Sequence, residues 1–527
     1  MILAVVVVAV LAGVVYWFSN TNEPPYRLGV LVVVDQMRPD YLTRFSGDYD
    51  NGLHRLQNGG AVFLSAYHDH AATETAVGHA TIGSGTIPAH HGIIANNWYD
   101  KKRGRAVYAC EDSTVRIVGH PEMDGRSPKL SVMPALGDWL RKRSPQSKVL
   151  AVSLKDRAAI YMGGHYPDAA YWYDRDHGQF VTSTFYMDTT PAWVDSFNTS
   201  GAADRFFTGG WSGEEPEGSF RHPFDTTGKG MKAYYRGLYA SPFGDHLLLQ
   251  FAQTAVDRMA LGQDDVPDLL LVSCSTSDVI GHAYGPDSPE IHDYYRRLDV
   301  ELGKFFDYLD NTVGRNRYYV ILGSDHGVMP LPEVLRTHGI DARRISERMV
   351  DSTVTATLRT LEKRFHLDAG TLYGGYDGVV IDSGAVAAAN LDWRTFEDSV
   401  AATLRQAPFL EDVYTSAELA DPATPDRPYM KLFRNILFPA RGFDLWFRYP
   451  EYCLITDDST GTTHGSPYRY DTQVPIVVYG PGIRSGTYDD SVRTVDIAPT
   501  MIDLLGYDVP EGADGRSLMT RFTAPSH

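Results

Sequence analysis

Short apolar runs rich in β-branched residues recur along the chain, separated by longer stretches with helical periodicity. Such runs are typical of strands that are buried on both faces, as in parallel sheets. The runs are Leu28–Val34, Val149–Ser153, Leu269–Cys274, Tyr319–Leu322 and Ile476–Tyr479. The helical stretches are Ser131–Arg143, His246–Ala260 and Pro289–Leu309. This alternation predicts an α/β fold with a doubly wound, mostly parallel sheet flanked by helices.

Two segments interrupt the alternation, and we interpret both as insertions in a single catalytic domain spanning residues 25–518. Residues 161–244 are rich in Tyr, Trp, Gly and Asp with weak periodicity, which predicts an irregular cap near the mouth of a site. Residues 331–452 have a pattern of their own, which predicts a small α+β subdomain. Its predicted helices are Ala342–Phe365 and Trp393–Gln406, and its predicted strands lie near Gly378–Ile381, Ala385–Ala389 and Leu410–Tyr414.

The chain begins with an unbroken apolar run from Ile2 to Phe18. As a helix it would be about 25 Å long, near the lower limit for crossing a bilayer. Residues 1–20 are therefore predicted to be a signal peptide or a membrane anchor, and a buried core helix is the alternative. Either targeting role places the rest of the chain outside the cytosol, in the periplasm or held at the membrane facing outward.

The charge balance restricts the partners that the protein can bind. Forty-eight basic and 66 acidic residues give a net charge of −18, which argues against a nucleic-acid groove. The same charge would repel small anions at long range. A site for an anionic substrate therefore needs local positive charge, and bound metal ions supply it.

Acidic and imidazole side chains stand beside several of the predicted strands. Ligands of open α/β sheets bind beyond the carboxyl ends of the strands, so residues there are expected to meet. Histidine nitrogens and carboxylate oxygens are zinc ligands, and two metals about 3.5–4 Å apart can hold the attacking and leaving oxygens of a displacement. Taken singly, each residue is more often a turn, cap or surface residue. The six candidates are Asp35, Asp278, His282, Asp325, His326 and His464.

The motifs around these residues resemble the alkaline phosphatase superfamily. They are VVVDQMRPDYL, TAVGHAT, HGIIANNWYD, SLKDR, DVIGHAYGPDS, GSDHG, THGS and TVDIAPTMIDLLG, in that order from about Val30 to about Leu518. More narrowly, they look like its threonine-nucleophile branch, which holds nucleotide pyrophosphatase/phosphodiesterases and bacterial periplasmic alkaline phosphatases. The resemblance implies two zinc ions per chain. One would be held by Asp35, Asp325 and His326, and the other by Asp278, His282 and His464.

The resemblance also implies that Thr75 is the nucleophile and a ligand of the first zinc. Coordination by a metal is one way to activate a hydroxyl that is otherwise a weak nucleophile. Thr73 is the rival candidate, but it is out of step with the spacing of the family. Val77 departs from the family, whose members commonly have proline there. An ordinary helix N-cap is the alternative role for Thr75.

Asn96, Lys155 and Arg157 resemble the residues with which periplasmic monoesterases contact the nonbridging oxygens of the transferred phosphoryl group. A phosphate monoester is a dianion and a diester is a monoanion, so additional cations favour the monoester. The prediction is a zinc-dependent alkaline phosphatase for small phosphate esters, with a phospho-threonine intermediate at Thr75. A solvated charge cluster is the alternative for Lys155 and Arg157.

Other functions are compatible with parts of the sequence. A phosphodiesterase or nucleotide pyrophosphatase could use the same two-metal site, and a membrane-tethered binding protein without activity could keep the fold. Sulfatases need a C/S-x-P-x-R motif, which Cys110 in ACEDST does not match. His68 and His70 match no ligand of the family and are predicted to be surface residues or residues that support the ligands.

Overall fold

The computed structural model of the protein describes residues 26–215, 218–225 and 230–523. The apolar run from Ile2 to Phe18, predicted to be a signal peptide or anchor, lies outside these residues. Within the described ranges, no helix is long and apolar enough to cross a membrane.

A ten-stranded sheet forms the centre of the molecule. Its strands lie side by side in the order Gly486–Tyr488, Ala61–Tyr67, Gln473–Tyr479, Tyr318–Gly323, Leu28–Val34, Asp268–Cys274, Val149–Ser153, Ala169–Asp174 and Gln179–Val181, and Val492–Arg493 pairs with Ala61–Tyr67. The strand Leu28–Val34 is parallel to both of its neighbours. The predicted mostly parallel, doubly wound α/β fold is confirmed.

Both faces of the sheet are buried, which explains why its strands are solid apolar runs. Val30 and Val32 belong to the core on one face, whereas Leu31 and Val33 belong to the core on the other. Successive side chains of a strand point to opposite faces, so each residue of the run is needed.

The structure corrects three details of the predicted sheet. Gln473–Tyr479 is antiparallel to both of its neighbours, not parallel, because an apolar run indicates burial but not direction. Ala61–Tyr67 is a central strand that was not predicted. Ala169–Asp174 and Gln179–Val181 form a hairpin in the sheet, within a segment expected to be irregular. This hairpin is rich in aromatic residues, which have a high strand propensity. Apolar and polar residues do not clearly alternate in it, so the strand periodicity is weak.

Helices cover both faces and carry part of the site. Those of eight or more residues are Gly52–Gly59, Thr75–Ser84, Leu136–Arg143, Asp156–Gly163, Met231–Tyr239, Phe243–Met259, Thr276–Tyr284, Pro289–Leu309, Glu347–Phe365, Trp393–Leu404 and Ile497–Leu504. The helix predicted from Ser131 begins at Leu136, after Pro134, because proline disfavours helical conformation in the residue before it.

A smaller antiparallel sheet lies within residues 331–452, the segment predicted to be an α+β subdomain. Its strands lie in the order Leu372–Gly375, Gly378–Ile381, Leu445–Arg448 and Asp412–Thr415. The predicted strand Ala385–Ala389 is wrong, since Ser383–Ala388 is a helix. The side chain of Asp382 caps that helix by accepting from two backbone N–H groups, and alanine has the highest helix propensity.

Candidate metal centre

The six predicted metal ligands converge at the carboxyl ends of the central strands. They form two groups, and within each group the ligand atoms lie within 4.8 Å of one another. One group is Asp35, Asp325 and His326, all fully buried, and the other is Asp278, His282 and His464.

The strand ends and one helix place these residues. Asp35 directly follows the strand Leu28–Val34, and its N–H donates to the carbonyl of Cys274 on the neighbouring strand, at 2.9 Å. Asp278 and His282 are four residues apart on the helix Thr276–Tyr284, so they share one face of it.

Backbone carbonyl groups orient the three imidazole rings. A carbonyl oxygen can only accept, so each Nδ1 carries a proton, and in the neutral ring the lone pair of Nε2 is available to a metal. Such a hydrogen bond behind the ring is the usual support of a histidine that binds a metal. The Nδ1 contacts are His282 to Thr462 at 2.7 Å, His326 to Gly327 at 3.0 Å and His464 to Thr73 at 2.6 Å.

Each Nε2 atom faces a carboxylate oxygen of the centre. His282 Nε2 lies 3.1 Å from Asp278 Oδ1, and His464 Nε2 lies 3.4 Å from the same oxygen. His326 Nε2 lies 3.5 Å from Asp35 Oδ1. Ligand atoms around a tetrahedral zinc ion are separated by about 3.3 Å, given metal–ligand bonds of about 2.0 Å. The donor atoms therefore already have the spacing of a coordination sphere.

Three donor atoms of the first group have no hydrogen-bond partner among the described residues, although they are buried. They are Asp35 Oδ1, Asp325 Oδ2 and His326 Nε2. A buried polar atom left unpaired costs about 1–3 kcal/mol. A divalent cation at their common point would satisfy all three, so the residues fit the metal that their chemistry implies.

The pKa values of the three carboxyl groups of the centre are strongly shifted. Burial and the neighbouring Asp325 raise the pKa of Asp35 well above its usual range. Burial raises the pKa of Asp325 to about 6, with Asp278 adding to the effect and Lys155 opposing it. Asp278 is also buried, but His282 and Lys155 outweigh that burial and hold its pKa well below the ordinary value.

Thr75 begins the helix Thr75–Ser84, and its side chain points to two cations. Its Oγ1 lies 3.3 Å from Lys155 Nζ and 3.4 Å from Arg157 Nη2. The N-terminus of a helix also favours negative charge. Thr73, the rival, instead donates to the carbonyl of Ser466 at 2.9 Å.

Asn96, Lys155 and Arg157 lie around Thr75. Asn96 Oδ1 accepts from the N–H of Ala76 at 2.9 Å, next to the start of the helix. Lys155 is buried, and burial lowers its pKa, but Asp278 and Asp35 outweigh this effect and leave the pKa raised. Its ammonium group therefore remains charged. The structure thus brings all the sequence-predicted site residues together.

Gln36 is a residue of this centre that sequence reasoning missed. Its N–H donates to Asp325 Oδ1 at 3.1 Å, and its Nε2 donates to Asp278 Oδ1 at 2.7 Å. It therefore contacts one carboxylate of each group. Its φ of 65° lies in the left-handed region, which is uncommon for a residue with a side chain. The sequence offered one signal for this role, because Gln36 directly follows the candidate ligand Asp35 at the end of a strand.

His68 and His70 were predicted to be surface residues or residues that support the ligands, and the surface location is wrong, because both are buried. His68 Nε2 contacts the carbonyl of Ser324 at 3.1 Å, directly before the ligand pair Asp325 and His326. The helix Thr75–Ser84 packs closely against the backbone at Asp325, since a Cβ at Gly78 would lie 2.1 Å from the carbonyl oxygen of Asp325.

A cavity of about 1110 Å³ opens above the centre. Thr75, Asn96 and Arg157 line its floor together with three of the metal ligands. The opposite wall includes Tyr376, Trp446 and other residues of the smaller sheet and its connections. Residues 161–244 were expected at the site mouth, and none of those that the structure describes lines this cavity. Lining residues come instead from the segment 331–452, predicted to be a subdomain, and from the residues that follow it up to Asp471.

Comparisons with known proteins agree with this architecture. Residues 29–459 match the family model described as type I phosphodiesterase / nucleotide pyrophosphatase. Alkaline phosphatase PafA of Elizabethkingia meningoseptica is 32% identical, over 98% of this chain and 98% of its own. Alkaline phosphatase PhoV of Synechococcus elongatus is 32% identical, over 95% of this chain and 93% of its own. A crystal structure of PafA superimposes with a TM-score of 0.85, at 31% identity over 95% of this chain and 99% of that one.

Proposed function

The chain belongs to the type I phosphodiesterase / nucleotide pyrophosphatase family, within the threonine-nucleophile branch of the alkaline phosphatase superfamily, and we propose that it is a zinc-dependent alkaline phosphatase. It is a hydrolase of phosphate esters, and phosphate monoesters are the proposed substrates. The observation that carries this proposal is the convergence of Lys155 Nζ and Arg157 Nη2 on Thr75 Oγ1, at 3.3 and 3.4 Å.

The proposed reaction has two steps. Thr75 Oγ1 gives up its proton and attacks the phosphorus of the ester, the bond from phosphorus to the leaving oxygen breaks, and the leaving oxygen takes up a proton as the phospho-threonine forms. Water then attacks the same phosphorus, the bond from phosphorus to Oγ1 breaks, and one proton of the water returns to Thr75 as inorganic phosphate is released. In both steps the helix N-terminus at Thr75 and the two nearby cations stabilise the charge on the transferred group.

The arrangement of cations supports a monoester as the substrate. Arg157 offers a planar fork that matches phosphate oxygens, while Lys155 offers a point charge beside the metal ligands. A monoester has one more charged nonbridging oxygen than a diester, so these contacts favour the monoester. Asn96 lies beside Thr75 in the cavity floor and contributes a neutral polar contact.

The donor sets support a divalent ion in each of two positions. Mixed imidazole and carboxylate ligands suit zinc, and we assign two zinc ions per chain to Asp35, Asp325 and His326, and to Asp278, His282 and His464. Thr75 adds its oxygen to the first set. Bound metals would supply Lewis-acid stabilisation of the attacking and leaving oxygens. Metal analysis of the purified protein tests the assignment.

Export of the protein is part of the proposal. Residues 1–20 would direct the chain out of the cytosol, either as a cleaved signal or as a retained anchor. Fractionation of cells that make the full chain, compared with a chain starting near Asn22, tests it. Activity of the full chain in the cytosolic fraction would contradict export.

The decisive experiment compares two substrates on a chain that starts near Asn22 and is loaded with zinc. An aryl phosphate monoester should have a much higher kcat/KM than the matching diester at mildly alkaline pH. The preference should collapse in Lys155→Ala and Arg157→Ala. Lys304→Ala is the matched control, because this lysine is largely exposed and forms an ion pair with Glu301. A diester preference that ignores the first two changes would contradict the proposal.

That contrary result would establish the second candidate function, a phosphodiesterase on the same metal centre. The description of the matching family model favours this candidate. A binding protein without activity is disfavoured, because Thr75 and all six candidate ligands are present and in place.

A further inference from the structure

A third group of metal-ligand side chains lies outside the catalytic cavity. We propose that His120, Glu122 and His177 form a separate binding site for a zinc-like divalent cation. Their ligand atoms lie within 4.8 Å of one another, as in the two groups of the catalytic centre. None of the three lines the cavity. This site would hold its ion without taking part in the hydrolysis of phosphate esters.

The spacing of the donor atoms is close to that of a coordination sphere. His120 Nδ1 lies 3.2 Å from Glu122 Oε1, similar to the 3.1 Å between His282 and Asp278 in the catalytic centre. The rings of His120 and His177 have centroids 4.8 Å apart and are tilted by 37°. The ligand atoms of two imidazoles and one carboxylate thus lie within the mutual distance that one shared ion requires.

A buried carboxylate orients one of the imidazoles. Asp174 Oδ2 accepts from His177 Nδ1 at 2.5 Å, and its other oxygen accepts from the N–H of Asp176 at 2.9 Å. The side chain of Asp174 is only 4% exposed. Because Nδ1 carries the proton, Nε2 of His177 keeps its lone pair for a metal. A carboxylate behind a histidine is a recurring support of metal ligands.

The backbone holds the two loops of the site together. His177 lies in the turn between the strands Ala169–Asp174 and Gln179–Val181. The loop with His120 is bonded to the end of the same hairpin, since Val118 N–H donates to the carbonyl of Thr182 at 2.9 Å. Thr184 N–H donates to the carbonyl of Arg116 at 2.8 Å. The ligands are therefore brought together by the fold before any ion binds.

The donor set selects the class of ion. Imidazole nitrogens suit zinc and its neighbours among the transition metals, whereas calcium and magnesium prefer oxygen ligands. The side chains of Glu122 and His177 are 60% and 49% exposed, so solvent can complete the coordination. A site with three protein ligands at the surface should bind its ion more weakly than the buried centre.

The test measures the zinc bound per chain at a series of free zinc concentrations up to about 0.1 mM. The unmodified protein and the variants are compared at each concentration. His177→Ala and Glu122→Gln should each bind one ion fewer than the unmodified protein. Asp174→Asn should keep the ligands but weaken the binding about 10–100-fold. The kcat/KM for a phosphate monoester should stay unchanged in all three, which also shows that the variants are folded.

His90→Ala is the matched control, because His90 is an exposed histidine that also pairs with a carboxylate, that of Asp514. It should bind as much zinc as the unmodified protein. Equal zinc content of the unmodified protein, His177→Ala and Glu122→Gln over the whole range would overturn the proposal. The test depends on the difference of one ion and not on the total, so it is independent of the metal content of the catalytic centre.

Discussion

The ammonium group of Lys155 lies 2.6 Å from Asp35 Oδ2 and 2.6 Å from Asp278 Oδ2, so one cation connects a carboxylate of each metal-ligand group. It also lies 3.3 Å from Thr75 Oγ1. In a protein with a net charge of −18, it places a buried cation beside Thr75, and the two paired carboxylates offset that charge until metal ions bind them. The positive charge is buried and local, where it is screened little, while the acidic surface acts only at a distance.

The first prediction concerns the planar shape of the Arg157 guanidinium group. Arg157→Lys keeps the charge but loses the planar fork, so kcat/KM for an aryl phosphate monoester should fall about tenfold to hundredfold. Arg157→Ala should lose more. Arg343→Lys, at an exposed arginine paired with Asp341, should change nothing. Equal activity of Arg157→Lys and the unmodified protein would show that charge alone is sufficient.

The second prediction distinguishes the two threonines. Thr75→Ser keeps a hydroxyl and should retain activity within about tenfold, whereas Thr75→Val should lose about 10⁴-fold or more, as for other nucleophiles. Thr73→Val removes the contacts of this hydroxyl with the carbonyl of Ser466 and the N–H of Gly465, and should lose much less. After acid quenching during turnover, mass spectrometry should find phosphate on Thr75. Phosphate on Thr73, or a fully active Thr75→Val, would contradict the assignment.

Much of the fold was predictable because burial leaves a direct mark on sequence. The strand Leu28–Val34 was predicted with its exact bounds, since both faces of the sheet require apolar residues. Its following residue, Asp35, was predictable as a ligand for the same reason, because a strand end fixes where the next side chain must lie. The apolar run thus located the strand, and the end of the strand located the candidate metal ligand that follows it.

The rest depends on contacts between distant parts of the chain. The antiparallel direction of Gln473–Tyr479 follows from how the chain re-enters the sheet. The local sequence pattern does not indicate that direction. The cavity wall around Trp446 depends on how the inserted segment sits over the centre. The role of Gln36 depends on two hydrogen bonds to residues more than 240 positions away.

The third prediction concerns protons released when metal binds. Asp325 has a pKa of about 6 because of its burial, with Asp278 adding to the effect against Lys155. A metal binds the ionised carboxylate, so it expels the protons still held at or below that pH. Asp325 alone should therefore release about half a proton at pH 6 and almost none at pH 8.

Calorimetry of zinc binding in buffers with different ionisation enthalpies measures this release. The number of protons released should be larger at pH 6 than at pH 8, because His282, whose pKa is raised by Asp278 despite burial, adds to the effect. The same release at both pH values would mean that neither group titrates between them in the metal-free protein.

The last prediction tests the side chain of Gln36 as a positioning group for Asp278. Gln36→Ala removes the amide that donates to Asp278, and zinc affinity should fall about 10–100-fold, as for other residues that support ligands. Gly281→Ala should have a similar effect, because a Cβ at Gly281 would lie 1.8 Å from Gln36 Oε1 and would displace the amide. Gly47→Ala is the control, since its Cβ would meet no atom within 4 Å.

The double variant decides whether the two changes act through the same amide. Once Gln36 is replaced by alanine, the added Cβ of Gly281→Ala has no amide to displace, so the double variant should bind zinc about as well as Gln36→Ala alone. Zinc affinity is measured by competition with a chromophoric chelator, and kcat/KM for a monoester should follow it. Additive losses would mean that Gly281 acts on the centre independently of Gln36. A non-additive result would assign to the side-chain amide of Gln36 the task of holding the Asp278 carboxylate in place.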